Sequence, residues 1–187
     1  MGEFTSERLK VIMLGAGGVG KTSITVQFTQ STFQTVYDPT ILETYHKRIV
    51  VDGVPVAIDV VDTAGQEEYT LLSDHTIRGG DAYVVVFSIT DADSLEEAKS
   101  IINQVKRIKE FESFPCIMAA NKADLQHERE LTNEEILNSL RDLDVGYLET
   151  SAKNRLNIEE CFCELTRQAR RAPKKIEKVP SHCCVLL

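Results

Sequence analysis

Eight residues near the N-terminus restrict the fold more than any other stretch of the chain. Gly15-Ala16-Gly17-Gly18-Val19-Gly20-Lys21-Thr22 fits G-x-x-x-x-G-K-[ST] without a gap. Such a loop works only between a buried strand and a helix, and both neighbours comply. Leu9–Leu14 is a short apolar run, and Lys21 to about Thr29 reads as a helix. Glycines let backbone N–H groups close around phosphate oxygens with no Cβ in the way. The N-terminus of the following helix favours negative charge. Lys21 is placed to reach the β- and γ-phosphates of a nucleotide, and Thr22 to offer a hydroxyl to Mg²⁺.

The rest of the chain alternates strands and helices. Thr44–Val51 and Val54–Val61 flank Asp52-Gly53, a strong hairpin signal. Tyr83–Phe87 and Cys116–Ala120 are continuous apolar runs, as central parallel strands require. Ser94–Glu110 places Leu95, Ala98, Ile101, Ile102, Val105 and Ile108 at helical spacing. Thr132-Asn133-Glu134-Glu135 has the form of a capping box before another helix. Tyr147-Leu148 is a last short strand, and Asn157 to about Arg170 a last helix. The pattern predicts an α/β fold with a six-stranded, mostly parallel sheet, one antiparallel edge strand and helices on both faces. Ligands of such folds bind at the carboxyl ends of the strands. Asp62 follows the strand Ala57–Val61 directly and is placed to meet the metal, directly or through water.

Charge divides the chain. The 187 residues carry a formal net charge of −8 from 21 basic and 29 acidic side chains. Six of the basic residues (Arg167, Arg170, Arg171, Lys174, Lys175, Lys178) and only one acid, Glu177, lie from Arg167 onward. The body therefore has 15 basic and 28 acidic residues, a net of −13. An acidic body argues against nucleic acid as a ligand. A basic tail suits an anionic surface. The five cysteines lack the arrangement of a disulfide framework, and the four histidines show no metal-ligand clustering.

Two more loops follow predicted strands: Asn121-Lys122-Ala123-Asp124 and Glu149-Thr150-Ser151-Ala152-Lys153. Together with Gly15–Thr22, Tyr37-Asp38-Pro39-Thr40-Ile41 and Asp62-Thr63-Ala64-Gly65-Gln66-Glu67-Glu68-Tyr69, they stand in one order and spacing. In these motifs, from roughly Leu9 to Arg170, the chain resembles the Ras family of small GTPases. The resemblance implies a P-loop NTPase G domain over residues 1–170, followed by a flexible tail, 171–187. It implies GTP and GDP as ligands, with Mg²⁺ held by Thr22, Thr40 and Asp62. Asp124 would accept hydrogen bonds from guanine N1–H and the exocyclic amine, a donor pair that adenine lacks. Asn121 would tie the loops together, and the stems of Lys122 and Lys153 would pack against base and sugar. The Ala152 N–H would meet guanine O6, with Ser151 beside it. Phe33 would cover the edge of the base, and Tyr37 and Pro39 would border the nucleotide with Thr40. Thr40 and Gly65 would each offer an N–H to the γ-phosphate, so losing that phosphate would release two switch loops. Gln66 would orient the attacking water. No built-in arginine finger is evident, and Arg78 reads as a surface residue near a helix end. Turnover should be slow without a GTPase-activating protein, and exchange should need a guanine-nucleotide exchange factor. The alternative is a GTP-locked scaffold with negligible hydrolysis; Gln66 and Gly17 speak against it.

The chain departs from the family's pattern in the first switch. Ile41, Leu42, Glu43 and Tyr45 occupy the effector strand, but Leu42 stands where Ras has an acid. Related but different effectors are implied. The chain ends in Cys184-Val185-Leu186-Leu187, a C-a-a-X box whose final Leu predicts geranylgeranylation of Cys184. One lipid anchors weakly, so the basic tail would supply the second signal. These features predict a monomer on the cytoplasmic face of a membrane, most simply the plasma membrane.

Overall fold

The computed structural model describes residues 7–33, 42–63, 74–110 and 113–172. Among the described residues there are six strands and five α-helices. They are β1 (Glu7–Leu14), α1 (Lys21–Gln30), β2 (Leu42–Val51), β3 (Val54–Thr63), α2 (Asp74–Gly79), β4 (Ala82–Ser88), α3 (Ala92–Lys109), β5 (Cys116–Asn121), α4 (Asn133–Leu140), β6 (Gly146–Glu149) and α5 (Ile158–Arg171). The sheet runs β2-β3-β1-β4-β5-β6. Every pair is parallel except β2 with β3, so the antiparallel strand is at one edge.

Local chemistry explains the boundaries. Asp52 (φ 52°) and Gly53 (φ 78°) both take positive φ, which the hairpin turn between β2 and β3 demands. Asp91 caps α3 by accepting from the Ser94 N–H. The capping box of α4 is present: Thr132 Oγ1 accepts from Glu135 N, and Glu135 Oε2 accepts from Thr132 N. β2 and β3 extend further than the sequence pattern suggests, because Leu42 pairs with Thr63 and Glu43 with Asp62. Exposed Leu42 and Glu43 break the alternation that marks the rest of β2, so periodicity alone ends the strand too soon. Asn157 is not within the last helix but precedes it in the left-handed region (φ 53°), with Nδ2 donating to the Glu149 carbonyl.

The central strands are buried on both faces, which divides the core in two. One side joins β1, β3 and β4 residues such as Val11, Val60 and Val86 to α1 and α5. There Phe28 and Phe162 stack with centroids 3.7 Å apart and planes 14° apart. On the other side α3 inserts Leu95, Ala98, Ile102 and Val105 against Tyr83, Val85, Phe87 and Met118. A sheet clamped on both faces holds its strand ends in fixed relative positions.

Candidate functional site

The loop after β1 is shaped by a collision it avoids. Gly15 has φ 136°, and a Cβ there would sit 2.1 Å from the Val86 carbonyl oxygen of β4. Only glycine lets the chain turn this tightly against the central sheet. Gly18 (φ 71°) and Gly20 (φ 98°) also take positive φ, and Gly20 stands at the N-cap of α1 with no side chain to occupy the helix end. The first turn of α1 carries no acid. A helix N-terminus of this kind favours an anion.

Lys21 closes this loop from within. Its ammonium donates to the carbonyls of Gly15 (2.8 Å) and Ala16 (2.7 Å) while the side chain is buried. Burial pushes its pKa down to about 8, against the pull of Asp62 and Glu97. Asp62, near the end of β3, is wholly buried, and among the described residues neither carboxylate oxygen has a hydrogen-bond partner of ordinary geometry. Burial raises its pKa to about 6 although Thr22 and Lys21 favour the charged form. An unsatisfied carboxylate beside a buried ammonium and a threonine hydroxyl is unfavourable alone. It fits a hard divalent cation that binds oxygen ligands.

The second half of the site comes from β5 and β6. Asn121 ends β5 and is buried. Its Nδ2 donates to the Val19 carbonyl at 2.9 Å, across 102 residues of chain. Its Oδ1 accepts from the Ala152 N–H at 3.3 Å and from the Thr150 hydroxyl at 3.4 Å. One amide thereby joins the phosphate loop to both later loops. Ser151 Oγ donates to Asp124 Oδ1 at 2.6 Å, and the Ala123 N–H to the Thr150 carbonyl at 3.0 Å. Lys122 holds a left-handed backbone (φ 66°) between Asn121 and Asp124. Lys153 is exposed beside Ala152.

The structure thus gathers Gly15–Thr22, Asp62, Asn121–Asp124 and Ser151–Lys153 at the carboxyl end of the sheet. Phe33 lies just beyond α1 and is exposed. Leu42 and Glu43 are exposed on edge strand β2, and the half-buried Tyr45 donates its hydroxyl to Glu43. That bond pushes the Tyr45 pKa up to about 12. Arg78 is a surface residue facing Glu110 at 3.9 Å, as expected. Tyr37, Pro39, Thr40, Ile41, Gly65, Gln66 and Cys184 lie outside the described residues. One contributor escapes sequence reasoning: buried Gln27 of α1 donates Nε2 to the Ala152 carbonyl at 2.6 Å. In the sequence it is a helical glutamine between Val26 and Phe28, and no local pattern marks it.

Comparison with known proteins decides the family. A model of the Ras family matches residues 10–171. The chain belongs to the Ras family. As a member of this family it is a small GTPase, an enzyme that hydrolyses GTP. Among relatives, the chain is 42% identical over 162 residues to Ras-like protein 2 of Drosophila melanogaster, covering 87% of this chain and 84% of the relative. Ras-like protein RAS2 of Hydra vulgaris is 41% identical over 183 residues, 95% of each chain. Ras-like protein 1 of Saccharomyces cerevisiae is 39% identical over 166 residues, 89% of this chain but 54% of that longer protein. The six-stranded sheet with its antiparallel edge is the architecture expected of this Ras-family GTPase.

Proposed function

We propose that this GTPase is a nucleotide-timed switch whose ligand is Mg²⁺·GTP or GDP. The supporting observation is the Asn121 amide, which unites the glycine loop and the two later loops around one end of the sheet. The loop's N–H groups and Lys21 bind the β- and γ-phosphates. Thr22, Asp62 and Thr40 would hold the metal through their oxygens, and when bound it would supply neutralisation of phosphate charge. Asp124 accepts from the guanine N1–H and amine, and its Ser151 partner fixes its carboxylate for that task. Ala152 shares its N–H, which also reaches Asn121 Oδ1 at 3.3 Å, with guanine O6; the stems of Lys122 and Lys153 flank base and sugar, and Phe33 covers the exposed edge. Tyr37 and Pro39 border the nucleotide.

In the reaction, Gln66 orients water in line with the γ-phosphate, while Thr40 and Gly65 hold that phosphate by backbone N–H groups. Hydrolysis removes what both loops grip, and each relaxes. Effector proteins read the GTP state through Ile41, Leu42, Glu43 and Tyr45. A GTPase-activating protein and an exchange factor set the two transitions. Residues 1–170 form the working domain; 171–187 form a tail that anchors it to a membrane through geranylgeranylated Cys184 and the adjacent lysines.

The test is single-turnover hydrolysis of Mg²⁺·GTP by the protein and by Gln66→Leu, with ATP as binding competitor. Slow hydrolysis that falls in the variant, with ATP failing to compete, is the expected result. Undiminished turnover in Gln66→Leu, alone or with an activating protein, overturns the catalytic assignment.

A further inference from the structure

Outside the loops that the motifs mark, the Arg129 side chain is bonded to Gln126, Leu131 and Glu149 at once. Arg129 follows a single 3-10 turn, Gln126–Glu128, that leaves the Asn121–Asp124 loop. Its Nη2 lies 2.8 and 2.9 Å from the two carboxylate oxygens of Glu149, at the end of β6. Its Nη1 donates to the Leu131 carbonyl at 2.9 Å, and Nε to Gln126 Oε1 at 2.9 Å. Gln126 passes the restraint inward, donating Nε2 to the Ala123 carbonyl at 2.6 Å. Glu149 passes it the other way, being the residue before Thr150-Ser151-Ala152; its carbonyl accepts from Asn157 Nδ2 at 2.7 Å. The Arg129 and Glu149 side chains are 17% and 21% exposed, so the pair is largely shielded from solvent and salt.

We propose that Arg129 and Glu149 are positioning residues for base recognition: together they fix the distance between the loop carrying Asp124 and the loop carrying Ala152. Both act through the two loops rather than as ligand contacts. The inner bonds between the two loops, Ser151 to Asp124 and Ala123 to Thr150, run directly from loop to loop. With the bonds from Thr150 and Ala152 to Asn121 Oδ1, they set which atoms meet at the inner end of the two loops. Arg129 acts at the outer end, bracing one loop against the end of β6. Its planar guanidinium serves Gln126, Leu131 and Glu149 from three separate nitrogens, a spread that the single nitrogen of a lysine lacks. Loss of the brace lets Asp124 drift from the line of the N1–H and amine donors, where a small misalignment weakens two bonds together.

The inference rests on Asp124 reading guanine, and the experiment separates the two ideas. Release of fluorescently labelled GDP and IDP is measured for the wild type, Arg129→Lys, Glu149→Gln and the charge-swapped double variant R129E/E149R, each with its melting temperature. IDP lacks the exocyclic amine, so the ratio of its release rate to that of GDP reports the alignment of Asp124. The wild type should release IDP faster than GDP. In both single variants GDP release should rise about 10-fold, the factor that about 1.4 kcal/mol of lost alignment gives. The IDP-to-GDP ratio should fall toward one, and the swap should restore part of it. A lowered melting temperature with the ratio unchanged overturns the positioning role and leaves a structural one. A wild type that releases both nucleotides equally overturns the reading of Asp124 as well.

Discussion

A β-carbon on Gly20 would lie 2.3 Å from Asn121 Nδ2. The phosphate loop and the base-side loop are therefore in contact at a point where neither can accept another atom. Gly20→Ala should push the amide off the Val19 carbonyl and strain a backbone at φ 98°. We expect a loss of roughly 2–4 kcal/mol of stability, from strain and a broken buried hydrogen bond together. Urea unfolding with nucleotide removed gives the first number, and titration with labelled GDP should show weaker binding. A variant as stable and as tightly binding as the wild type would contradict this contact.

Asp62 and Lys21 make stability depend on pH in opposite windows. The folded pKa of Asp62, about 6, lies above its ordinary 3.8. Between those values the folded chain holds a proton the unfolded chain has released, so stability falls as pH rises through the window. The folded pKa of Lys21, about 8, lies below its ordinary 10.5. There the unfolded chain holds the extra proton, so stability rises from pH 8 toward 10.5. The nucleotide-free protein should thus be about 2 kcal/mol less stable at pH 7 than at pH 4 from the Asp62 contribution. Asp62→Asn should erase that drop while weakening Mg²⁺-dependent GDP binding. Thermal melts at both pH values, with and without metal and nucleotide, check both halves.

Phe162→Ala should be the most damaging change far from the loops. The ring is fully buried and stacked on Phe28, tying α5 to α1. Deletion of a buried aromatic typically costs about 3–5 kcal/mol. With GDP held at a fixed saturating concentration, the urea midpoint should fall sharply. Phe162→Leu should recover much of the loss.

Cys184→Ser should keep nucleotide chemistry and lose membrane partition. Treatment of both forms with a geranylgeranyl donor and transferase, followed by sedimentation with vesicles containing anionic lipid, gives the comparison. Equal sedimentation of the variant would remove Cys184 as the anchor.

The site was legible in the sequence where chemistry forces residue identity. Gly15–Thr22 and Asn121–Asp124 announce themselves because backbone approach and a fixed strand end admit few alternatives. The hairpin at Asp52-Gly53 and the cap at Thr132–Glu135 were equally plain, since each is a local bond between near neighbours. The helical spacing in α3 marked its buried face for the same reason. What stayed hidden is long-range and polar. Arg129 and Glu149 are 20 residues apart and look like two solvated charges until the fold brings them together. Gln27 reaches Ala152 across 125 residues, which no periodicity encodes. The ends of β2 and β3 were missed because pairing between Leu42 and Thr63, rather than alternation, keeps the strands going.

The bond from Asn121 to Val19 also has a consequence during synthesis. Chains grow at about 5–20 residues per second. The 102 residues between the two partners therefore take on the order of 5–20 s to be made. Through that interval the nascent chain carries its glycine loop without the segment that brackets it. A nucleotide has nothing to be held by on the base side until β5 and β6 have been translated, so ligand capture comes late, after the segments of β1 to β4 have been made.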